Sequence, residues 1–143
     1  MNWSVREGKT GDMVRVHVNN QIDHYGVYIS DDEVIQFGMN PSLRLGVSDT
    51  EVFVCATSID DFRNGAYPEF ADLSFLEKLK RFKTDKIVST ARARIGEGGY
   101  NIVFNNCEHF AYECIFGKKY SSQSDLVKEL VKQQALGKDS KGE

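Results

Sequence analysis

Apolar and polar residues alternate in Met13-Val14-Arg15-Val16-His17-Val18, and this period of two predicts a half-buried strand. The alternation breaks at Asn19-Asn20, a turn signal. It resumes over residues 24–29, with Tyr25, Val27 and Ile29 on one face, then returns over residues 33–37 after Asp31-Asp32. The two runs read as a β-hairpin. Period two places His24, Gly26 and Tyr28 on the opposite face, with Val34 and Gln36 of the return strand beside them. Residues 1–11 are polar and read as a loose surface segment. Residues 38–49, which include Asn40-Pro41, read as a loop, and residues 51–55 as one more short strand.

The period then changes. Residues 60–69 carry the breakers Asn64-Gly65 and Tyr67-Pro68 and read as irregular. Phe70, Leu73, Phe75, Leu76, Leu79 and Phe82 fall at helical spacing, with Lys78, Lys80, Arg81 and Lys83 around them. Thr84-Asp85 caps a further helix carrying Ile87, Val88, Ala91 and Ile95 and ending at Gly96. Gly98 and Gly99 lead to a short extended run over residues 100–104. Phe110, Ala111, Cys114, Ile115 and Phe116 restore helical spacing, Asn105 or Asn106 is a suitable N-cap, and Gly117 sits where the helix stops. A polar run over residues 121–124 caps a last helix with Leu126, Val127, Leu130 and Val131. Residues 137–143 form a polar tail that reads as disordered. With no internal repeat and no second domain, residues 1–136 form one domain. Its strands precede its helices, so the expected class is α+β, an antiparallel sheet packed against helices.

The chain has 143 residues, 41% apolar and 27% charged, enough for one ordinary globular core. A net charge of −3 excludes a global attraction to nucleic acid or to an acidic membrane. Three cysteines form an odd set, and no leader precedes them, which points to a reducing, cytoplasmic setting. No apolar run is long enough to span a bilayer. A lipid substrate would then be met by transient contact, without a transmembrane anchor.

Chemistry concentrates on Asn105-Asn106-Cys107-Glu108-His109-Phe110. Cys107 falls in the first turn of its helix, where free N–H groups and the positive dipole end favour a thiolate nucleophile. Placement alone also fits a small buried core residue. A nucleophile needs a base, and the base needs a group that fixes its tautomer. His17 lies in a strand as a structural or surface residue. His109 follows Cys107 by two, a spacing that points the side chains apart on a helix. His24 opens a strand and shares a face with Gln36, which can hydrogen-bond its second ring nitrogen. A Cys107–His109–Cys114 metal site lacks the spacing of a structural zinc site. Gly96-Glu97-Gly98-Gly99 lacks the strand and helix of a phosphate loop. No cofactor and no metal are expected.

His24-Tyr25-Gly26-Val27-Tyr28-Ile29, followed by Asn106-Cys107-Glu108-His109-Phe110, resembles the H-box and NC-box of the lecithin:retinol acyltransferase-like family. Gly11-Asp12 and residues 86–96 are similar to further parts of it. The resemblance implies a permuted papain-like α+β domain with His24 as base and Cys107 as nucleophile. Cellular members carry a second His where this chain has Gln36, which can orient an imidazole but cannot take up a proton. They also carry a C-terminal hydrophobic anchor. Shortness and a polar tail make the chain most similar to the H-box/NC 2A proteins of picornaviruses, the parechovirus type above all. The implied activity is acyltransferase or phospholipase chemistry on a phospholipid or other acyl ester, through a thioester on Cys107, with Gln36 completing the catalytic set. The alternative is a non-enzymatic module that binds host proteins or RNA in a host cytoplasm. Lys78, Lys80, Arg81 and Lys83 are its candidate surface, and the same residues also fit the solvated side of an amphipathic helix.

Overall fold

The computed structural model describes residues 1–41, 48–101 and 106–120, together with Glu129, Lys132 and Gln133. The extended run at 102–104, the Asn105 cap, the last helical stripe (Leu126, Val127, Leu130, Val131) and the tail at 137–143 lie outside the described residues.

Strands β1 (Asn2–Ser4), β2 (Asp12–His17), β3 (Asp23–Ser30) and β4 (Glu33–Phe37) come first. They are followed by β5 (Val54–Thr57), α1 (Ile59–Arg63), β6 (Glu69–Asp72), α2 (Phe75–Lys80), α3 (Thr84–Ala93) and α4 (Cys107–Phe116). Among the described residues the six strands form one antiparallel sheet in the order β1-β6-β2-β3-β4-β5. The class is α+β, as the order of periodicities implies.

The central hairpin follows its sequence pattern, with Val27 opposite Ile35 and Gly26 opposite Gln36. Strand β3 is buried on both faces. Tyr25, Val27 and Ile29 join Ile35, Phe37 and the inner sides of α3 and α4 in one core cluster. Tyr28 and Val34 join Val14, Val16, Phe62 and Phe70 in a second cluster, closed by α1. Helix α4 lies chiefly on β3. Gly117, at φ 73° in the left-handed region, ends it.

Four expectations are corrected. Residues 1–11 are not loose: β1 pairs with β6, Trp3 packs edge-on against Tyr25, and Arg15 sits over the Trp3 ring at 4.3 Å. One large aromatic secures a polar segment, helped by Arg6, which is ion-paired at 2.9 Å to both Asp12 and Asp72. The strand expected at 51–55 is β5, shifted toward the C-terminus, because its ladder partners are Phe37 to Val34. The irregular stretch holds α1, capped by Ser58, and the start of β6. The helix expected from Phe70 is only α2. Phe70 and Ala71 belong to β6, where sheet pairing overrides a spacing that also fits a helix. On α2, Phe75 is 76% exposed and Leu76 and Leu79 are also exposed, so these side chains are surface rather than core.

Candidate active site

His24 is the second residue of β3 and is wholly buried. Its ring stacks on Phe62 of α1, with centroids 5.0 Å apart and planes inclined by 28°. Gly26, two residues on and on the same face, makes room for that ring. A Cβ there would lie 2.9 Å from the Phe62 ring and 3.1 Å from the Ile35 carbonyl oxygen. Asn40 donates from Nδ2 to the Phe62 carbonyl at 3.0 Å and ties α1 to the end of the hairpin.

The hairpin register sets Gln36 diagonally across from His24. His24 Nε2 and Gln36 Oε1 are 2.6 Å apart, a buried hydrogen bond. Gln36 Nε2 donates to Thr57 Oγ1 at 2.7 Å, and the Thr57 hydroxyl donates to the Ser58 carbonyl at 3.2 Å. The pairing of His24 with Gln36 was legible from period two; Thr57 and Phe62 were not. Ending β5 at Cys55 hid Thr57. In the true register Gln36 faces Cys55 and Thr57 lies two residues along on the same face.

Cys107 opens α4 and is 2% exposed. Asn106 is the N-cap: its Oδ1 accepts from the N–H groups of Glu108 and His109, both at 3.0 Å. His109 Nδ1 accepts the Asn106 N–H at 3.1 Å and completes a capping box. The His109 ring thereby helps to hold the helix start together. His17 sits at the exposed rim, paired with Asp23 and Glu69. Cys107 packs in the cluster on the Tyr25 face, whereas His24 packs on the Phe62 face. Burial pushes the Tyr25 hydroxyl up, and Glu108 is its next cause; Tyr25 adjoins His24 in the chain and Glu108 adjoins Cys107. Helix α4 packs chiefly on β3, the strand that carries His24.

None of Cys55, Cys107 and Cys114 is in a disulfide. Cys114 is fully buried, and burial pushes its thiol up to about 12 against the partial offset of Arg94. Among the described residues no three His, Cys, Asp or Glu side chains gather as a metal ion would require. The basic residues split between two clefts. Lys78, Arg81 and Lys83 border an open cleft of about 690 Å³ with Arg6, Lys9, Asp12 and Asp72, whereas Lys80 borders another beside Tyr112 and Tyr120. No described helix is long and apolar enough to cross a membrane.

A sequence model of the lecithin retinol acyltransferase family matches residues 6–120, which takes in the hairpin, the capped helix and the connection between them. The chain belongs to that family. It is 27% identical over 140 residues to the lecithin retinol acyltransferase of Bos taurus and, at the same level, to that of Homo sapiens; the Mus musculus enzyme is 26% identical. Each alignment covers 85% of this chain and 60% of the relative, so the chain spans about three fifths of the length of the relatives it matches. Family membership makes this an acyltransferase-like domain.

Proposed function

We propose that the domain is a thiol acyltransferase or phospholipase in which Cys107 attacks the carbonyl of an acyl ester and His24 is the base. The buried hydrogen bond from His24 Nε2 to Gln36, 2.6 Å long, carries this reading. A wholly buried imidazole held by a side-chain amide is built to present its other nitrogen in a fixed direction. The nucleophile would come from the capped start of α4, the helix that packs on β3.

In the reaction the Cys107 sulfur forms a bond to the acyl carbonyl carbon, and His24 takes the thiol proton. The tetrahedral intermediate collapses, the ester oxygen leaves with that proton, and a thioester results. Water or an amine then attacks the thioester and restores the thiol. Oxyanion donors are worth about 3 kcal/mol each in such sites. The Glu108 and His109 N–H groups already bind Asn106, so the oxyanion would draw on other donors at the helix start. A glycerophospholipid ester is the favoured donor, reached by transient contact with a bilayer from the cytoplasm, within a permuted papain-like fold.

Mass spectrometry after incubation with phosphatidylcholine vesicles tests the reading. The wild type gains the mass of one acyl chain, and Cys107→Ala and Cys107→Ser do not. A wild-type chain with an intact thiol that neither gains an acyl chain nor releases fatty acid or lysophospholipid overturns it.

A second reading rests on the cleft where Lys78, Arg81 and Lys83 meet Arg6 and Lys9. A picornaviral 2A-type module would use these cations for RNA or a host protein in the host cytoplasm. Binding of single-stranded RNA that weakens with salt and is lost on Lys78→Glu with Lys83→Glu supports it. Binding indifferent to both removes it.

A further inference from the structure

We propose that Thr57 is a positioning residue: the direction of its hydroxyl proton sets the tautomer of His24. This rests on the acyl-transfer reading only for its functional consequence.

Three hydrogen bonds run from the Ser58 carbonyl to His24. The Thr57 hydroxyl spends its single proton on the Ser58 carbonyl, at 3.2 Å. Its oxygen can then only accept, and it accepts from the amide nitrogen of Gln36 at 2.7 Å. That turns the amide oxygen of Gln36 toward His24 Nε2 at 2.6 Å. An amide oxygen has no proton to give, so Nε2 must be the N–H of the neutral ring and Nδ1 its basic nitrogen. The opposite arrangement is chemically self-consistent too. If the Thr57 proton turned to Gln36, the amide would flip, its NH2 would donate to Nε2, and the ring proton would move to Nδ1. The Ser58 carbonyl disfavours that state by accepting the Thr57 proton. A second histidine at position 36 could adapt by changing its own tautomer. A glutamine cannot, so in this chain the choice passes outward to Thr57. Burial of His24 and Gln36, both 1% exposed or less, keeps water from substituting for the bond between them.

The test is nitrogen NMR of the full chain labelled with 15N-histidine, at a pH where the rings are neutral. The His24 signals are identified by their loss in His24→Ala. The expected wild-type spectrum shows His24 protonated at Nε2, Thr57→Ser keeps it so, and Thr57→Val gives a mixture of tautomers. In parallel, thioester formation at saturating phosphatidylcholine slows about 10- to 100-fold in Thr57→Val, the scale known for outer partners that orient metal-binding histidines, and recovers in Thr57→Ser. A wild-type ring protonated at Nδ1, or a Thr57→Val ring unchanged from wild type, overturns the proposal. If Thr57→Val fails to fold, the wild type and Thr57→Ser decide it: Nε2–H in both supports it and Nδ1–H in either sinks it. A wild type that forms no thioester and releases no fatty acid or lysophospholipid removes the acyl reading and leaves the tautomer result standing on its own.

Discussion

Helices α2 and α4 begin with the same device and end in opposite environments. Ser74 and Glu77 close a capping box on α2; Asn106 and His109 close one on α4. Both helices carry apolar residues at helical spacing. Yet α4 buries seven of its ten residues and α2 buries none. Capping and periodicity are local properties of the chain, so both helices were within reach of a sequence reading. Burial depends on which sheet face a helix meets. Helix α4 covers β3, the strand that supplies His24, and its cap therefore fixes the position of Cys107 as well as the helix.

Breaking the α4 cap should have the largest effect. Asn106→Ala removes the acceptor of two N–H groups in a buried setting. The ordinary cost of a lost cap is about 1 kcal/mol, and stranded buried donors add about 1 to 2 more, so a loss of roughly 2 to 3 kcal/mol is expected in urea unfolding. A loss no greater than that of a surface cap would show that water reaches the helix start and that Cys107 is not held by it.

The far half of α4 gives the next effect, through pH. Burial pushes the Cys114 thiol up from an ordinary 9.0 to about 12. Below pH 9 the thiol is neutral in both folded and unfolded chains, and the full stability is present. As pH rises from 9 toward 12 the unfolded chain releases the proton and the folded chain does not, so stability falls. By pH 10.5 this amounts to about 2 kcal/mol. Tyr28 and Tyr112, both pushed up to about 12 mainly by burial, act in the same direction. Unfolding free energies of the wild type and Cys114→Ala at pH 8 and pH 10.5 separate the contributions. The variant should lose about 2 kcal/mol less over that interval; equal losses would mean that Cys114 meets water more readily than its burial implies.

These differences explain what was legible. Period two placed His24 and Gln36 on one face because strand alternation is strict, and one face choice fixes every residue. The Asn106 cap and the Gly117 stop follow from side-chain chemistry within one turn. Thr57 and Phe62 were hidden because each reaches the site by tertiary pairing: Thr57 through the β4–β5 register, Phe62 through a single-turn helix that fills the space above Gly26. Strand β6 was hidden because Phe70 fits helical spacing as well as sheet pairing, and only β1 and β2 decide between them. The elements that carry His24, Gln36 and Cys107 were readable and the supports around them were not, because supports are chosen by contacts between distant segments.

The α2 cap should matter less than its counterpart. Ser74 accepts from the Glu77 N–H at 3.2 Å, and Glu77 returns the bond to the Ser74 N–H at 2.9 Å. Both bonds are exposed, so in Ser74→Ala water can replace what is lost. The expected cost is about 0.5 to 1 kcal/mol in the same urea measurement. A cost matching that of Asn106→Ala would mean that α2 is buried by a contact that the described residues do not show.

The smallest effect is expected on the outer side of α2. Phe75 is 76% exposed, so it has little burial to lose. Phenylalanine and serine have similar helix propensities, which leaves packing as the only term that Phe75→Ser changes. A surface substitution of this kind shifts stability by no more than about 0.5 kcal/mol in either direction. A loss of 2 kcal/mol or more would demand a buried ring, because that is about the free energy of taking a phenylalanine side chain out of water. Helix α2 would then be a second α4, differing only in that its partner surface comes from elsewhere, and the contrast between the two helices would be one of company rather than of kind.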